Sequence, residues 1–234
     1  MSSQAHSPER SSLRPPDQLF PLVRHLSYPL TLFLLRLPVT PNQVTGLSLL
    51  LGLAGAACFL AGDWSWGVAG GLLLLACYVF DNCDGEIARV KDLSSAFGAR
   101  LDDLADWLVD ASFFAALGIG TAIAREESLW LWLGLAAAAG ATIDYVVDLI
   151  KEARAKRDPA ARTREAEARE PKKPEAVLDW VIYIFHKLTR ADFCLIVLAL
   201  ALFDLTWLLL PLGAIGAQAY WITDLFDRAR GYHT

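Results

Sequence analysis

Apolar stretches separated by short polar segments run through most of the sequence. Six of them approach the roughly 20 residues that a helix needs to cross the hydrocarbon core of a bilayer. The fifth stretch is short, although the apolar segment 177–188 before it could extend it. This pattern predicts an all-α integral membrane protein with six transmembrane helices, at about 41–62, 66–90, 95–124, 128–152, 189–204 and 206–228.

The residues before the first span follow a different pattern. Residues 19–38 are apolar but interrupted by two arginines and a histidine, which predicts an amphipathic helix lying in the membrane interface. Thr40 and Pro41 then form a helix start, with Thr40 at the N-cap and Pro41 at the first helical position. Residues 1–18 are polar, rich in Pro and Ser, and lack a signal-type apolar run, so we predict a disordered cytoplasmic tail before a membrane domain over 19–234.

Composition and charge support the membrane class and set the orientation. Apolar residues make up 55% of the 234 residues, and the net charge of −5 with no broad basic face excludes nucleic-acid binding. The four cysteines have no CxxC spacing and indicate packing rather than disulfides. Lys and Arg concentrate in alternate connections, which predicts an inner cell-membrane protein with both termini cytoplasmic. The basic segment 151–173 is either a solvated loop or a contact with anionic headgroups.

Four aspartates fall near the predicted inner ends of the second and third spans. Asp81 and Asp84 are three residues apart, and Asp102 and Asp106 are four apart, so each pair points to one side of its helix. Uncompensated carboxylates near a membrane repel one another and are poorly solvated, so they require cations. Two divalent ions with hard oxygen ligands are the simplest answer.

Small residues and one arginine accompany these carboxylates. Gly85 and Ala88 lack bulk one turn apart, Gly98 precedes Asp102 by one turn, and Arg89 offers a planar fork of donors for a phosphate. Carboxylates, divalent metal, arginine and free space together predict a diphosphate site.

The residues from Asp81 to Asp106 resemble a known signature. They match every specified position of DxxDGxxARx8GxxxDxxxD, the motif of the CDP-alcohol phosphotransferase family. The predicted helix layout, the interfacial helix and the TPNQVT opening of the first span are also similar to this family. The resemblance therefore covers most of the chain after about residue 18.

The resemblance implies a transferase of phospholipid synthesis. Such an enzyme takes a CDP-alcohol, often CDP-diacylglycerol, and moves the substituted phosphate to an acceptor alcohol with release of CMP. The resemblance also implies a homodimer. Two Mg²⁺ or Mn²⁺ ions would be held by Asp81, Asp84, Asp102 and Asp106, with Asp106 also acting as the general base. The implied contacts to the cytidine diphosphate are Asn42, Thr45, Gly85, Arg89 and Ser95.

The acceptor stays open at this stage. Arg154 and Arg190, predicted at the inner ends of later helices, could hold an acceptor phosphate or serve as positive anchors at the membrane surface. Asp144 and Asp148 could face the acceptor or pair with these arginines. The family shares its aspartates across many acceptors, so the sequence does not identify the alcohol.

Two other functions compete. An ion-coupled secondary transporter also uses membrane carboxylates, but it favours midplane positions, broken helices and internal repeats, none of which the sequence shows. An aspartate-rich membrane prenyltransferase also binds a diphosphate through Mg²⁺, but its acidic motifs lie on widely separated helices.

Overall fold

The computed structural model describes residues 21–157 and 192–218, together with the isolated residues Leu13 and Pro15. The described parts are helical and contain no strand. A final apolar helix, α7, begins with a 3₁₀ turn and is described as Thr206–Gln218. The helices before it are α1 (Val23–Leu34), α2 (Pro41–Cys58), α3 (Trp64–Val90), α4 (Ala96–Arg125), α5 (Ser128–Arg157) and α6 (Phe193–Leu202).

Four segments are long and apolar enough to cross a membrane. They are Pro41–Ala61, Trp64–Val90, Ala96–Arg125 and Ser128–Arg154. The ten residues of α6 and the described part of α7 are shorter than a crossing needs. The all-helical class is therefore confirmed. The count of six stays a prediction, since the ranges predicted for the last two spans run beyond the described residues.

Side-chain caps set where the helices of the site begin. Thr40 and Pro41 open α2 as the sequence predicted, and the Gln43 side chain accepts a hydrogen bond from the Thr40 backbone N–H at 2.9 Å. Ser95 caps α4 by accepting from the Gly98 N–H at 3.0 Å. These caps fix the ends of α2 and α4 that carry predicted site residues.

Pairs of glycines allow two close helix crossings. A Cβ placed on Gly55 of α2 would lie 3.0 Å from the Gly70 carbonyl oxygen of α3. A Cβ on Gly118 of α4 would lie 2.8 Å from the Gly134 Cα of α5. Missing side chains let these backbones touch, as is common between membrane helices. The crossings hold α2 against α3 and α4 against α5.

Helix α1 buries two hydroxyl side chains along with the apolar Val23 and Leu34. Ser27 and Thr31 are fully buried, whereas Leu26, Leu32 and Phe33 are exposed. The exposed apolar side chains suit contact with lipid. The predicted position of this helix in the membrane interface stays a prediction.

A buried carboxylate fixes the start of α1. Asp192, which is fully buried just before α6, accepts hydrogen bonds from the backbone N–H groups of Leu22 and Val23 at 2.9 Å each. The first N–H groups of a helix lack partners within the helix, and negative charge is favourable there. The start of α1 is thereby attached to the start of α6.

The end of α4 away from the aspartates is rich in aromatic side chains. The Arg125 guanidinium lies 5.1 Å from the ring centre of Trp130 and 4.4 Å from that of Trp207. Asp102 precedes Arg125 by 23 positions, about 34 Å along a helix axis. The aspartates and the aromatic cluster therefore lie a membrane thickness apart, as expected for residues at two opposite interfaces.

Candidate active site

Three aspartates converge between α3 and α4. One carboxylate oxygen from each of Asp81, Asp84 and Asp102 lies within 4.8 Å of the other two. Asp84 is buried, and Asp81 and Asp102 are half-buried. Three of the four aspartates therefore face one another across the two helices, as their spacing predicted.

Asp106 is placed differently from this group of three. It follows Asp102 by one turn, a rise of about 6 Å along the helix. Its side chain is exposed, and it is not part of the group within 4.8 Å. Its position one turn from the other carboxylates suits a group that meets a second substrate.

The three converging carboxylates fit a divalent cation. The Oδ1 atom of Asp102 is buried and has no hydrogen-bond partner among the described residues. A buried polar atom without a partner is unfavourable, and negative charges this close repel one another. An all-oxygen donor set suits Mg²⁺ or Mn²⁺ rather than softer metals. A bound cation would satisfy the Asp102 oxygen and offset the charge.

Thr45 of α2 supports the group of three directly. Its hydroxyl donates a hydrogen bond to the Asp84 carboxylate and lies 3.2 Å from the Pro41 carbonyl oxygen one turn earlier. Thr45 is 3% exposed, so this contact is shielded from water. The structure shows Thr45 in contact with an aspartate; the nucleotide contact that the resemblance implies for Thr45 stays a prediction.

Two further predicted residues meet at the start of α4. A Cβ placed on Gly98 would lie 3.0 Å from the Asn42 side-chain oxygen and 3.1 Å from the Ser95 hydroxyl oxygen. Gly98 therefore leaves room for both polar side chains. The structure brings together residues from α2 and α4 that the sequence placed more than 50 positions apart.

Arg89 lies alongside Gly85 on α3. A Cβ placed on Gly85 would be 3.4 Å from Nη1 of Arg89, so the guanidinium lies over the face that Gly85 leaves open. Arg89 is exposed, although it belongs to the last turn of a membrane-length helix. An exposed guanidinium one turn after Gly85 can reach a phosphate near the carboxylates.

The two arginines considered for the acceptor are less informative. Arg154 is exposed near the end of α5, and Arg190 lies outside the described residues. Nearby on the same helix, Asp148 accepts from Lys151 at 2.8 Å, and Glu152 lies 3.6 Å from Arg100 of α4. The structure thus shows partners for Asp148, Lys151 and Glu152 of α5, and an acceptor role for Arg154 and Arg190 stays a prediction.

Sequence reasoning missed one buried acid close to the site. Glu86 is 3% exposed and occupies an unspecified position of the motif, two residues after Asp84. A glutamate inside an apolar membrane-length helix is a signal in itself, because such a residue needs a partner. Its partner lies on α1, in a segment where no residue had been assigned a role.

Comparison with known families decides the class to which the chain belongs. A family model described as CDP-alcohol phosphatidyltransferase matches residues 38–218, most of the chain. The chain belongs to the CDP-alcohol phosphatidyltransferase family. The matched region includes all four motif aspartates and the described helices from α2 to α7.

Curated relatives in this family match the chain over part of its length. The bifunctional IPC transferase and DIPP synthase of Thermococcus kodakarensis is 36% identical over 105 residues, which are 45% of this chain and 23% of that protein. The phosphatidylinositol phosphate synthase of Streptomyces avermitilis is 33% identical over 93 residues, 39% of this chain and 36% of that protein. The chain thus matches well under half the length of these relatives.

Solved structures share the fold. The phosphatidylinositol phosphate synthase of Mycobacterium tuberculosis with CDP-DAG bound superposes with a TM-score of 0.52 at 23% identity, covering 83% of this chain and 90% of that one. Its apo form gives 0.50 at 25% identity, covering 85% and 95%. The helical arrangement described above is therefore that of a membrane-embedded family.

Proposed function

We propose that the protein transfers a substituted phosphate from a CDP-alcohol, such as CDP-diacylglycerol, to an acceptor alcohol and releases CMP, as a step of phospholipid synthesis. One observation carries this proposal. In a chain of this family, the oxygens of Asp81, Asp84 and Asp102 lie within 4.8 Å of one another. One Asp102 oxygen is buried without a partner, so the group is arranged to bind a cation.

The motif aspartates would hold two Mg²⁺ or Mn²⁺ ions. Asp81, Asp84 and Asp102 supply the converging oxygens, and Asp106 is a further ligand by family resemblance. When bound, the ions would neutralise the diphosphate and stabilise the leaving CMP. The Thr45 hydroxyl keeps the Asp84 carboxylate oriented toward the other two.

Asp106 is our candidate for the general base. Its side chain, one turn from Asp102, could reach an acceptor hydroxyl that enters beside the carboxylates. It would take the hydroxyl proton as the acceptor oxygen forms its bond to phosphorus and the bond from phosphorus to the CMP oxygen breaks. This step needs no further reactant, because Asp106 takes the proton, the acceptor oxygen gains the bond to phosphorus, and CMP leaves.

The donor would be held by side chains around the carboxylates. Asn42 and Ser95, which meet at Gly98, form one wall for the nucleotide. The Arg89 guanidinium beside Gly85 would bind the diphosphate through its planar set of donors. The M. tuberculosis structure with CDP-DAG bound supports a CDP-alcohol donor for a chain of this fold.

Placement in the membrane follows from the same helices. We propose six crossings with both termini and the aspartates on the cytoplasmic side, α1 in the inner interface, and a homodimer by family resemblance. A lipid donor could then keep its tails in the bilayer while its diphosphate reaches the aspartates. Arg154 and Arg190 remain the candidates for holding a phosphate on the acceptor.

Release of CMP tests this function. Purified protein in detergent is given Mg²⁺ or Mn²⁺, CDP-diacylglycerol and a panel of acceptors that includes inositol phosphate, glycerol phosphate and serine. We expect the wild type to release CMP with one acceptor class and Asp84→Asn to lose this activity. Asp103→Asn should keep it, because Asp103 is an exposed aspartate of α4 outside the group of three. Absence of CMP release from CDP-diacylglycerol with every acceptor of the panel would contradict the proposal.

A further inference from the structure

Glu86 links the catalytic part of α3 to α1. The Thr31 hydroxyl of α1 donates to Oε2 of Glu86 at 2.6 Å, and Nε of Arg24 lies 3.6 Å from Oε1. Both Thr31 and Glu86 are buried. A buried carboxylate is tolerated only where donors satisfy it, so this contact selects one position of α1 against α3.

Of the two partners, Thr31 contributes more. Arg24 is 42% exposed and its nitrogen is 3.6 Å away, so solvent screens the ion pair. The hydrogen bond from Thr31 is short, buried and made to a carboxylate, which places it among the stronger hydrogen bonds in proteins. The hydroxyl of Thr31 is therefore the group to remove.

Further bonds extend this attachment toward α2. Lys91 in the turn after α3 donates to the carbonyl oxygens of Leu37 at 3.0 Å and Val39 at 2.8 Å, in the connection between α1 and α2. The Cys83 thiol lies 3.6 Å from the Ser27 carbonyl oxygen of α1. The chain that leads into α2 is thus held along the last two turns of α3.

The position of Glu86 on the helix connects this attachment to the metal-binding group. Two residues correspond to about 200° around a helix, so Glu86 and Asp84 point to nearly opposite sides of α3. Holding Glu86 on α1 therefore sets the rotation that points Asp84 at Asp102. The same contact also sets where α2 begins, and therefore whether the Thr45 hydroxyl can bond to Asp84.

We propose that Glu86 is a positioning residue, which through its bond to Thr31 keeps Asp84 directed at the cation-binding group. The inference rests on the proposed function, since it assigns Asp84 to a metal site. A merely structural contact would lower thermal stability and leave metal affinity unchanged. A positioning contact also weakens cation binding in protein that is still folded.

The test is a titration of full-length protein in detergent with Mn²⁺ alone, read by electron paramagnetic resonance. Thr31→Val keeps the shape of the side chain and removes the donor, and we expect it to weaken Mn²⁺ binding roughly tenfold. Thr31→Ser restores the hydroxyl and should bind as the wild type does. Glu152→Gln is the control. It breaks the exposed ion pair between Glu152 and Arg100, which has the same 3.6 Å length as the pair between Arg24 and Glu86, and it should bind Mn²⁺ as the wild type does.

A second variant keeps the inference testable if Thr31→Val does not fold. Glu86→Asp retains the charge but is one methylene shorter, so its carboxylate cannot reach Thr31, and we expect the same weakening of Mn²⁺ binding. Wild-type affinity in a folded Thr31→Val or Glu86→Asp protein would overturn the inference. Equal weakening in Glu152→Gln would also overturn it, because the effect would then be general.

Failure of the proposed function would look different. If wild-type protein binds Mn²⁺ but releases no CMP from any CDP-alcohol, the proposed reaction is wrong, whereas the affinities of the variants still decide the role of Glu86. If CMP is released and the variants bind Mn²⁺ normally, only the role of Glu86 is wrong.

Discussion

Replacing Asp102 by asparagine should make the metal-free protein more stable while removing its response to metal. Asparagine has nearly the same shape as aspartate and no charge. In the absence of metal, Asp102 adds negative charge to a group whose oxygens lie within 4.8 Å, and its Oδ1 has no partner among the described residues. We therefore expect this carboxylate to serve binding rather than folding.

The size of the effect follows from the geometry. Two unit charges 4.8 Å apart repel by about 3.5 kcal/mol at an effective dielectric constant of about 20. At this largest separation Asp102 makes two such pairs, worth about 7 kcal/mol between full charges, which proton uptake and solvent lower to about 1–3 kcal/mol. For a chain of this size, that gain raises the Tm by several degrees.

The assay follows unfolding by the fluorescence of the eight tryptophans, with EDTA and then with Mg²⁺. In EDTA we expect the Tm of Asp102→Asn to exceed that of the wild type. With Mg²⁺ we expect the wild type to gain stability through binding and the variant to gain little. Asp103→Asn, one residue away but exposed and outside the group, should behave like the wild type in both conditions.

Two results would refute this reasoning. A variant less stable than the wild type in EDTA would mean that Asp102 makes a favourable contact in the folded protein. A Mg²⁺-induced rise in Tm as large as that of the wild type would mean that the cation binds elsewhere.

Three further predictions concern the base and the helix contacts. Asp106→Asn should lower CMP release by about 100-fold or more, since a general base contributes about that factor, and should lower Mn²⁺ affinity much less, since three other aspartates still supply ligands; equal loss of both would make Asp106 a ligand only. Gly98→Ala should raise the KM for the CDP-alcohol, because its Cβ would crowd the Asn42 side-chain oxygen at 3.0 Å, whereas Gly46→Ala, with nothing within 4 Å, should not. Gly70→Ala should lower the free energy of unfolding by about 1–3 kcal/mol, because its Cβ would lie 2.8 Å from a carbonyl oxygen of α2. The control is Gly67→Ala on the same helix, whose Cβ meets open space. An equal loss of stability in Gly67→Ala would show that the close crossing is not the cause.

The sequence predicts the parts of the site that depend on local geometry. Spacings of three and four residues determine which side chains share a helix face, so the pairing of Asp81 with Asp84 could be read without coordinates. The start of α2 at Pro41 could be predicted because caps depend on adjacent residues. Apolar length gave the four long spans.

The contacts between helices could not be predicted in the same way. The bond from Thr45 to Asp84 and the bond from Thr31 to Glu86 depend on how α2 and α1 are rotated against α3. That rotation is set by close packing at sites such as Gly55 and by buried polar bonds, which hydrophobic periodicity does not encode. The burial of the Ser27 and Thr31 hydroxyls on α1 was missed for this reason.

The most direct test of the central claim is an anomalous diffraction map, recorded at the manganese absorption edge, from crystals of the protein grown with Mn²⁺ and a CDP-alcohol. The account predicts manganese peaks bonded to oxygens of Asp81, Asp84 and Asp102, with the diphosphate beside Arg89. Manganese at other residues, or no manganese between α3 and α4, would contradict it.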